Sequence, residues 1–364
     1  MTSAKKLKIG IVGCGAVTQL YYAPALLELS LLGEVEVTCL FDPDSKQALK
    51  VAGQFSGVEM IESVDAFSKN GADLVIVASP PRFHARQTIT LLEQGISVLC
   101  EKPMAVSVAE AEAMIQAARQ SGKVLAVGLF RRFYPVSQFI REVIQRQSLG
   151  MVKHFEISEG GPFGWPAQSA SFFCKSESQG GVLADLGVHV LDLLIWWFGL
   201  PQKVNYQDDA MGGLEANCQV TMVFDGGVSG TVRLSRDTQL PNRTIIECEK
   251  GWLRCPAVSV TDLDIGFFSG TYALTGQTVS LGRGGVHGSH TTPALSYHQS
   301  FVTQLQNVIA AVREREDVLV SGSEGLQSLR LIEQCYRERS LMPMPWLSSA
   351  ASNVSMRLGE GVLA

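Results

Sequence analysis

The apolar positions of this chain follow two rhythms. In the first third, short apolar runs at Leu7 to Val12, Val35 to Phe41, Leu74 to Ala78, Ser97 to Cys100 and Val124 to Val127 alternate with segments carrying apolar residues at helical spacing. Those segments run from Leu20 to Ser30, Ser45 to Phe55, Phe83 to Gln94 and Ser107 to Gln120. Strands alternating with helices of this length imply a parallel sheet covered on both faces, an α/β doubly wound arrangement. After about Phe133 the rhythm changes. A helix over Pro135 to Arg146 is followed by a strand at Val152 to Glu159 and a long helix at Gly181 to Phe198. Strand patterns then recur at Lys203 to Gln207, Asn217 to Phe224, Val228 to Leu234, Arg243 to Cys248 and Gly251 to Cys255, with Asp225-Gly226-Gly227 as a hairpin turn. Helices at His298 to Arg313 and Ser323 to Arg339 complete an α+β unit. The expected division is a first domain over 1–127, a second over 128–345, and a tail over 346–364.

Composition narrows the function classes. A chain of 364 residues exceeds one comfortable core, and 46% hydrophobic with 18% charged residues describes a well-buried globular enzyme. A net charge of −5 with no run of Lys or Arg argues against nucleic acid as a partner. The longest apolar stretch, Val182 to Leu200, is interrupted by Asp185, His189 and Asp192 at helical spacing, which fits a buried helix bearing polar groups and argues against a membrane span. Lys5, Lys6 and Lys8 before Ile11-Val12-Gly13-Cys14 imitate a lipoprotein signal, but the apolar run is too short for one. The eight cysteines form no CxxC pair, so most read as reduced core thiols of a cytoplasmic protein.

Candidate chemistry begins at Gly13-Cys14-Gly15-Ala16-Val17-Thr18, which carries the first two glycines of the GxGxxG fingerprint and a threonine at the third. The motif follows a strand, opens a helix, and has Asp42 at the end of the second strand. Backbone at Gly13, Gly15, Ala16 and Val17 would approach a pyrophosphate, and Asp42 would accept from the adenosine ribose hydroxyls. No Arg lies between Phe41 and Ser45 to receive a 2′-phosphate, so NAD is favoured over NADP. Asp44 reads as a helix N-cap.

Two further motifs stand at the expected cleft. Cys100-Glu101-Lys102-Pro103 follows the fifth strand, and Gly180-Gly181-Val182-Leu183-Ala184-Asp185-Leu186-Gly187-Val188-His189 opens the long helix. Ligands of open α/β sheets bind beyond the carboxyl ends of the strands, which puts Lys102 beside a nicotinamide. Asp185 and His189, four apart, share a helix face. Together with Ser321-Gly322-Ser323-Glu324-Gly325 before the last helix, these motifs match in order those of the Gfo/Idh/MocA oxidoreductase family, which the chain resembles over nearly its whole length. The resemblance implies a Rossmann domain followed by an α+β domain with a large, mostly antiparallel open sheet, through which homodimers or homotetramers form. It gives Lys102, Asp185 and His189 catalytic roles. His189 would act as the base for an alcohol proton, and Lys102 would stabilise the developing alkoxide.

Ser79-Pro80-Pro81-Arg82-Phe83-His84 resembles the family's cofactor-lining loop, with Pro81 in place of an asparagine; Ser79, Pro80, His84 and Glu101 join the cofactor candidates. His84 is equally readable as a first-turn helix residue. In Gly128 to Pro135, Phe130 replaces an asparagine while Arg132 matches and becomes a substrate candidate. Phe163, Trp165, Phe172 and Phe173 punctuate the loop where specificity should lie, either offering faces such as that of Trp165 to a sugar ring or pinning a long loop onto the body. Trp196 and Trp197 cannot face the same way, and His298 could reach the cleft. A metal held by Asp185, His189 and Asp192 is disfavoured, since no other ligand cluster is visible. The substrate class implied by the resemblance is a sugar, cyclitol or polyol, a small molecule. The alternatives are an elimination that recycles NAD and a non-catalytic dinucleotide sensor.

Overall fold

The computed structural model describes residues 5–166, 173–174, 178, 180–279 and 296–343. Six strands form the first sheet: β1 (Leu7–Val12), β2 (Val35–Phe41), β3 (Glu59–Met60), β4 (Leu74–Val77), β5 (Ser97–Cys100) and β6 (Leu125–Val127). Their order is β3-β2-β1-β4-β5-β6, all parallel, with the strand order reversing between β1 and β4. That is the dinucleotide-binding arrangement, and its crevice lies at the reversal. Every residue of β4 and β5 is buried, which is why these strands read as unbroken apolar runs. The connecting helices are α1 (Ala23–Leu31), α2 (Ser45–Ala52), α3 (Pro81–Glu93) and α4 (Val108–Ser121).

The second sheet has nine strands: β7 (Val152–Gly160), β8 (Lys203–Asp208), β9 (Asn217–Val223), β10 (Ser229–Ser235), β11 (Arg243–Cys248), β12 (Gly251–Pro256), β13 (Asp262–Phe267), β14 (Ala273–Gln277) and β15 (Ser340–Leu341). Their order is β14-β13-β12-β11-β7-β10-β9-β8-β15, antiparallel except for β7 with β10 and β8 with β15. In β9, buried Cys218, Val220 and Met222 alternate with Gln219, Thr221 and Val223, the period of a sheet covered on one face. Strands β13 and β14 went unread in the sequence. All of β14 is exposed, so burial imposes no alternation on it. Strands β3 and β15 are two residues each, below the length any pattern can signal.

Four helices belong to the second half: α5 (Pro135–Gln145), α6 (Val188–Phe198), α7 (Tyr297–Val312) and α8 (Gly322–Arg337). The last two return to the first sheet's layer, α7 packing on α1 and α8 on α4 and β6. The Ser321 motif is the start of α8: Ser321 Oγ accepts from Glu324 N at 3.3 Å and Glu324 Oε2 accepts from Ser321 N at 3.1 Å, a reciprocal capping box. Among the described residues no helix is long and apolar enough to cross a membrane.

Candidate active site

The turn after β1 is built for close approach. Gly13 adopts φ +89°, and a Cβ there would lie 2.5 Å from Ser79 N, so only glycine lets this turn cross the end of β4. Asp42 ties the turn to the end of β2, accepting from Cys14 N at 2.7 Å on one carboxylate oxygen and from Asp44 N at 2.8 Å on the other. Each oxygen keeps a lone pair for a ribose hydroxyl. Thr18, standing where the fingerprint has its third glycine, is fully buried and donates its hydroxyl to Gly13 O at 2.7 Å. The helix widens into a π turn over Thr18–Tyr22, which accommodates the larger side chain. Gly15, Ala16 and Val17 lie between this turn and the strand, where free N–H groups gather. A turn that excludes side chains, a helix start and an acceptor carboxylate together fit NAD. Asp44 caps α2, accepting from Lys46 N at 2.9 Å.

The next two loops are braced to each other. Ser79 donates its hydroxyl to Gln87 Oε1 at 2.5 Å, Pro80 precedes α3, and His84 is buried between two backbone carbonyls. Its Nδ1 lies 2.9 Å from Pro103 O and its Nε2 2.6 Å from Ser79 O. Burial lowers its pKa, the two carbonyls opposing the shift. Of the two sequence readings, the helix residue describes the side chain, which braces the loop after β4 against the loop after β5.

Lys102 lies just beyond β5. Glu101, buried beside it, accepts from Tyr22 Oη at 2.6 Å and from Lys102 N at 2.9 Å. Burial pushes its carboxyl upward, and these neighbours oppose the shift. Lys102 Nζ donates to Asp185 Oδ1 and to Asp185 O, both at 2.9 Å, joining the two halves of the chain. Arg236, one residue beyond β10, pairs with the second carboxylate oxygen. Asp185 belongs to a π turn, Leu183–Gly187, that leads directly into α6 and His189. Such turns are frequent at functional sites. The start of this segment is held by Glu215, which accepts from Gly181 N and Leu183 N at 3.0 Å and from Tyr336 Oη at 2.7 Å. Gly181 lies so close to the Glu215 backbone that a Cβ would not fit.

His189 is 5% exposed, with its ring edge-on to Phe130 at 5.0 Å. Its Nδ1 has no hydrogen-bond partner among the described residues. Burial, then the positive charges of Lys102 and Arg131, hold its pKa well below the usual imidazole value, so it is neutral at physiological pH. Burial also pushes Lys102 from 10.5 down to about 8; Arg236 and Arg131 add to the shift, and Glu101 and Glu159 oppose it. Asp185 directs its carboxylate to Lys102 and Arg236, which is where the hydrogen bonding departs from a simple Asp–His pair.

Arg131, Glu159, Arg236 and Glu215 stand in no local motif that marks them as part of a site. Arg131 forks onto Glu159 at 2.7 and 2.8 Å, both side chains buried. Arg132, expected at the substrate, is turned elsewhere. Its Nε and Nη2 donate to Asp192 at 2.9 and 2.7 Å, and its Nη1 donates to Glu324 at 2.7 Å. The pair sits on a short 3₁₀ turn, Phe130–Phe133, where adjacent side chains diverge, and nothing in the order Arg-Arg says which one faces the cleft. Asp192 is thereby committed to Arg132 and does not converge with Asp185 and His189 on a metal position. Trp165 is half-buried and stacks at 6.1 Å on Tyr21, which stacks at 4.9 Å on Phe301. Phe163 carries the Arg236 guanidinium at 5.1 Å and meets Phe173 edge-on at 5.2 Å. Phe172 lies outside the described residues. His298 pairs with Glu28 of α1 at 2.8 Å. Trp197 donates to Ser137 O at 3.1 Å, while Trp196 carries the Arg141 guanidinium at 4.4 Å.

A parallel sheet of reversed order, a glycine turn closed by an aspartate, and a lysine and histidine gathered at the strand ends define an NAD-binding oxidoreductase of Rossmann type. The chain belongs to the Gfo/Idh/MocA family: residues 7–129 match "Oxidoreductase family, NAD-binding Rossmann fold" and residues 137–254 match the "GFO/IDH/MocA C-terminal domain". D-glucoside 3-dehydrogenase of Escherichia coli is 31% identical over 225 residues, 60% of this chain and 62% of that protein. D-apiose dehydrogenase of Paraburkholderia graminis is 24% identical over 92% of this chain and 88% of its own length. Among solved structures, levoglucosan dehydrogenase in complex with NADH and levoglucosan superposes with a TM-score of 0.80 at 20% identity, covering 92% of this chain and 98% of that one; it shares the fold.

Proposed function

We propose that the protein is an NAD-dependent dehydrogenase or ketoreductase acting on a secondary alcohol or ketone of a sugar, cyclitol or related polyol derivative. The observation that carries this reading is Lys102 Nζ at 2.9 Å from Asp185 beyond the first sheet, one helical turn from a buried, neutral His189 whose Nδ1 is unpartnered. Bound NAD supplies a hydride acceptor. His189 takes the alcohol proton, for which a neutral imidazole is the competent form. Lys102, as the ammonium, donates to the same oxygen and stabilises the developing alkoxide. Asp185 fixes the ammonium by accepting its hydrogen bonds at the side-chain carboxylate and the backbone carbonyl.

The named substrates of the relatives, a glucoside, apiose and levoglucosan, share ring hydroxyls and apolar ring faces. Trp165 and Phe163, at the loop after β7, each have one ring face engaged by Tyr21 and Arg236 and could offer only the other to such a ring. Asp42 favours NAD over NADP, since a 2′-phosphate would meet its carboxylate. A sensor needs the glycine turn but not the Lys102–Asp185 pair, and this favours catalysis. Seven buried thiols with no disulfide, from Cys14 to Cys335, fit a reducing compartment such as the cytoplasm.

The test is a screen of aldoses, inositols, uronic acids and glycosides at fixed NAD, following NADH absorbance. NADH accumulating with a free sugar, polyol or glycoside supports the dehydrogenase. Glycoside cleavage without net NADH formation replaces it with the elimination that recycles NAD. The outward-facing positions of the second sheet mix Thr221, Arg233, Glu247 and Arg254 with Val223, Ile245 and Trp252, a face suited to a homodimer or homotetramer. Sedimentation equilibrium is expected to return a multiple of the 39.4 kDa chain mass, and a monomer at micromolar concentration would remove this assignment.

A further inference from the structure

Asp185 is held from two sides. One carboxylate oxygen receives Lys102 Nζ at 2.9 Å, and the other receives the guanidinium of Arg236. Arg236 is itself seated: its backbone N–H donates to Ala216 O at 2.8 Å, and its guanidinium lies 5.1 Å above the Phe163 ring. Its side chain is 22% exposed, with the guanidinium against the Asp185 carboxylate. The arginine stands one residue beyond β10, on a different strand from every other member of the site, and β10 also packs against the π turn that carries Asp185.

We propose that Arg236 is a positioning residue of this cleft: it keeps the Asp185 carboxylate aimed at Lys102 Nζ and places a second positive charge beside the lysine. The inference rests on the dehydrogenase reading for its kinetic consequence only. With both carboxylate oxygens held by cations, Asp185 accepts hydrogen bonds, and proton acceptance is left to His189. The charges facing Lys102 are Glu101 from its own loop, Asp185 from the π turn, Arg131 and Glu159 from the second half, and Arg236 from the end of β10, with neutral His189 on α6. Arg236 acts against the lysine's charge both directly and by sharing the one carboxylate that would otherwise serve Lys102 alone.

Three variants test this on the NAD-loaded protein without any substrate. The rate of Lys102 acetylation by acetic anhydride, read by peptide mass spectrometry across a pH series, reports its protonation. In the wild type the midpoint is expected at about 8. Arg236→Gln is expected to move it upward by about one unit, the scale of a neighbouring charge at contact distance, while Arg236→Lys restores it. Asp185→Asn, which leaves Arg236 in place and removes the compensating carboxylate, is expected to move it downward. Coincident midpoints for the wild type and Arg236→Gln overturn the proposal. If Arg236→Gln does not fold, an unmoved midpoint in Asp185→Asn overturns it instead. Once a substrate is in hand, Arg236→Gln is expected to lower kcat by about 10- to 100-fold with KM changed less, as befits loss of a group acting only through the site's geometry. A failed substrate search would undo the dehydrogenase reading and leave the acetylation result standing.

Discussion

Replacing Lys102 with methionine is expected to lower kcat by about 10²- to 10³-fold, the range for loss of a donor aimed at a developing oxyanion, while NAD still binds. Methionine keeps the apolar stem and removes only the ammonium, so the loop after β5 retains its packing and Glu101 keeps Tyr22 and the residue 102 backbone N–H. The measurement is steady-state turnover alongside quenching of protein fluorescence by NADH. The pH dependence makes the assignment specific. Burial and neighbouring guanidiniums place the Lys102 pKa at about 8, below the 10.5 of a solvated lysine. The ammonium is then the dominant form below pH 8 and is lost above it. If the working form is the ammonium donor, kcat/KM of the wild type is flat up to about pH 8 and falls beyond it. If the neutral amine were the base, kcat/KM would rise through the same interval, and His189 would lose its role. His189 does not confuse the reading, because its pKa is displaced downward, away from this window.

The parts of the molecule that could be read from sequence were those where one physical requirement dictates one residue pattern. Strands β4 and β5 are buried on both faces and therefore unbroken apolar; Gly13 sits where no Cβ fits; Asp44 and Ser321 cap helices with the spacing such caps require. Thr18 replaced a glycine without loss of the turn, because a π turn widened the helix and the threonine hydroxyl found Gly13 O, an accommodation that no linear motif encodes. The site divides the same way. Lys102, Asp185 and His189 could be named from local motifs, and the structure brings the Lys102 ammonium onto Asp185 across 83 positions of chain. Arg236 and Glu215 could not, because each reaches the site from a strand end or loop whose local sequence serves only its own sheet. Arg131 and Arg132 are the sharpest case: two identical residues, adjacent, on a turn whose register only the fold decides.

That register leads to the second large effect. Arg132→Ala is expected to destabilise the protein by about 3–5 kcal/mol, the range for leaving one member of a buried ion pair alone. The guanidinium is almost wholly buried, and its fork onto Asp192 joins the turn before α5 to α6, while its third contact reaches Glu324 at the start of α8. Without it, Asp192 has no counter-charge. Burial already raises the Asp192 carboxyl with the arginine present, so in the variant it rises further and the folded state favours the protonated acid. A folded-state carboxyl pKa above the unfolded one means stability falls as pH rises through the unfolded value and stays low above the folded one; the deficit should therefore be smaller at pH 5 than at pH 8. Urea titrations at the two pH values measure it. The double variant Arg132→Met, Asp192→Leu is expected to recover much of the loss, since an apolar pair can replace a buried ionic one. The same experiment separates support from recognition. If Arg132 holds α6 in place, the folded fraction of Arg132→Ala keeps its KM within about tenfold, because uniform binding is undisturbed. A rise in KM of about 100-fold in a variant of undiminished stability would instead return Arg132 to the substrate, and would mean that the ion pair opens when the cleft is filled.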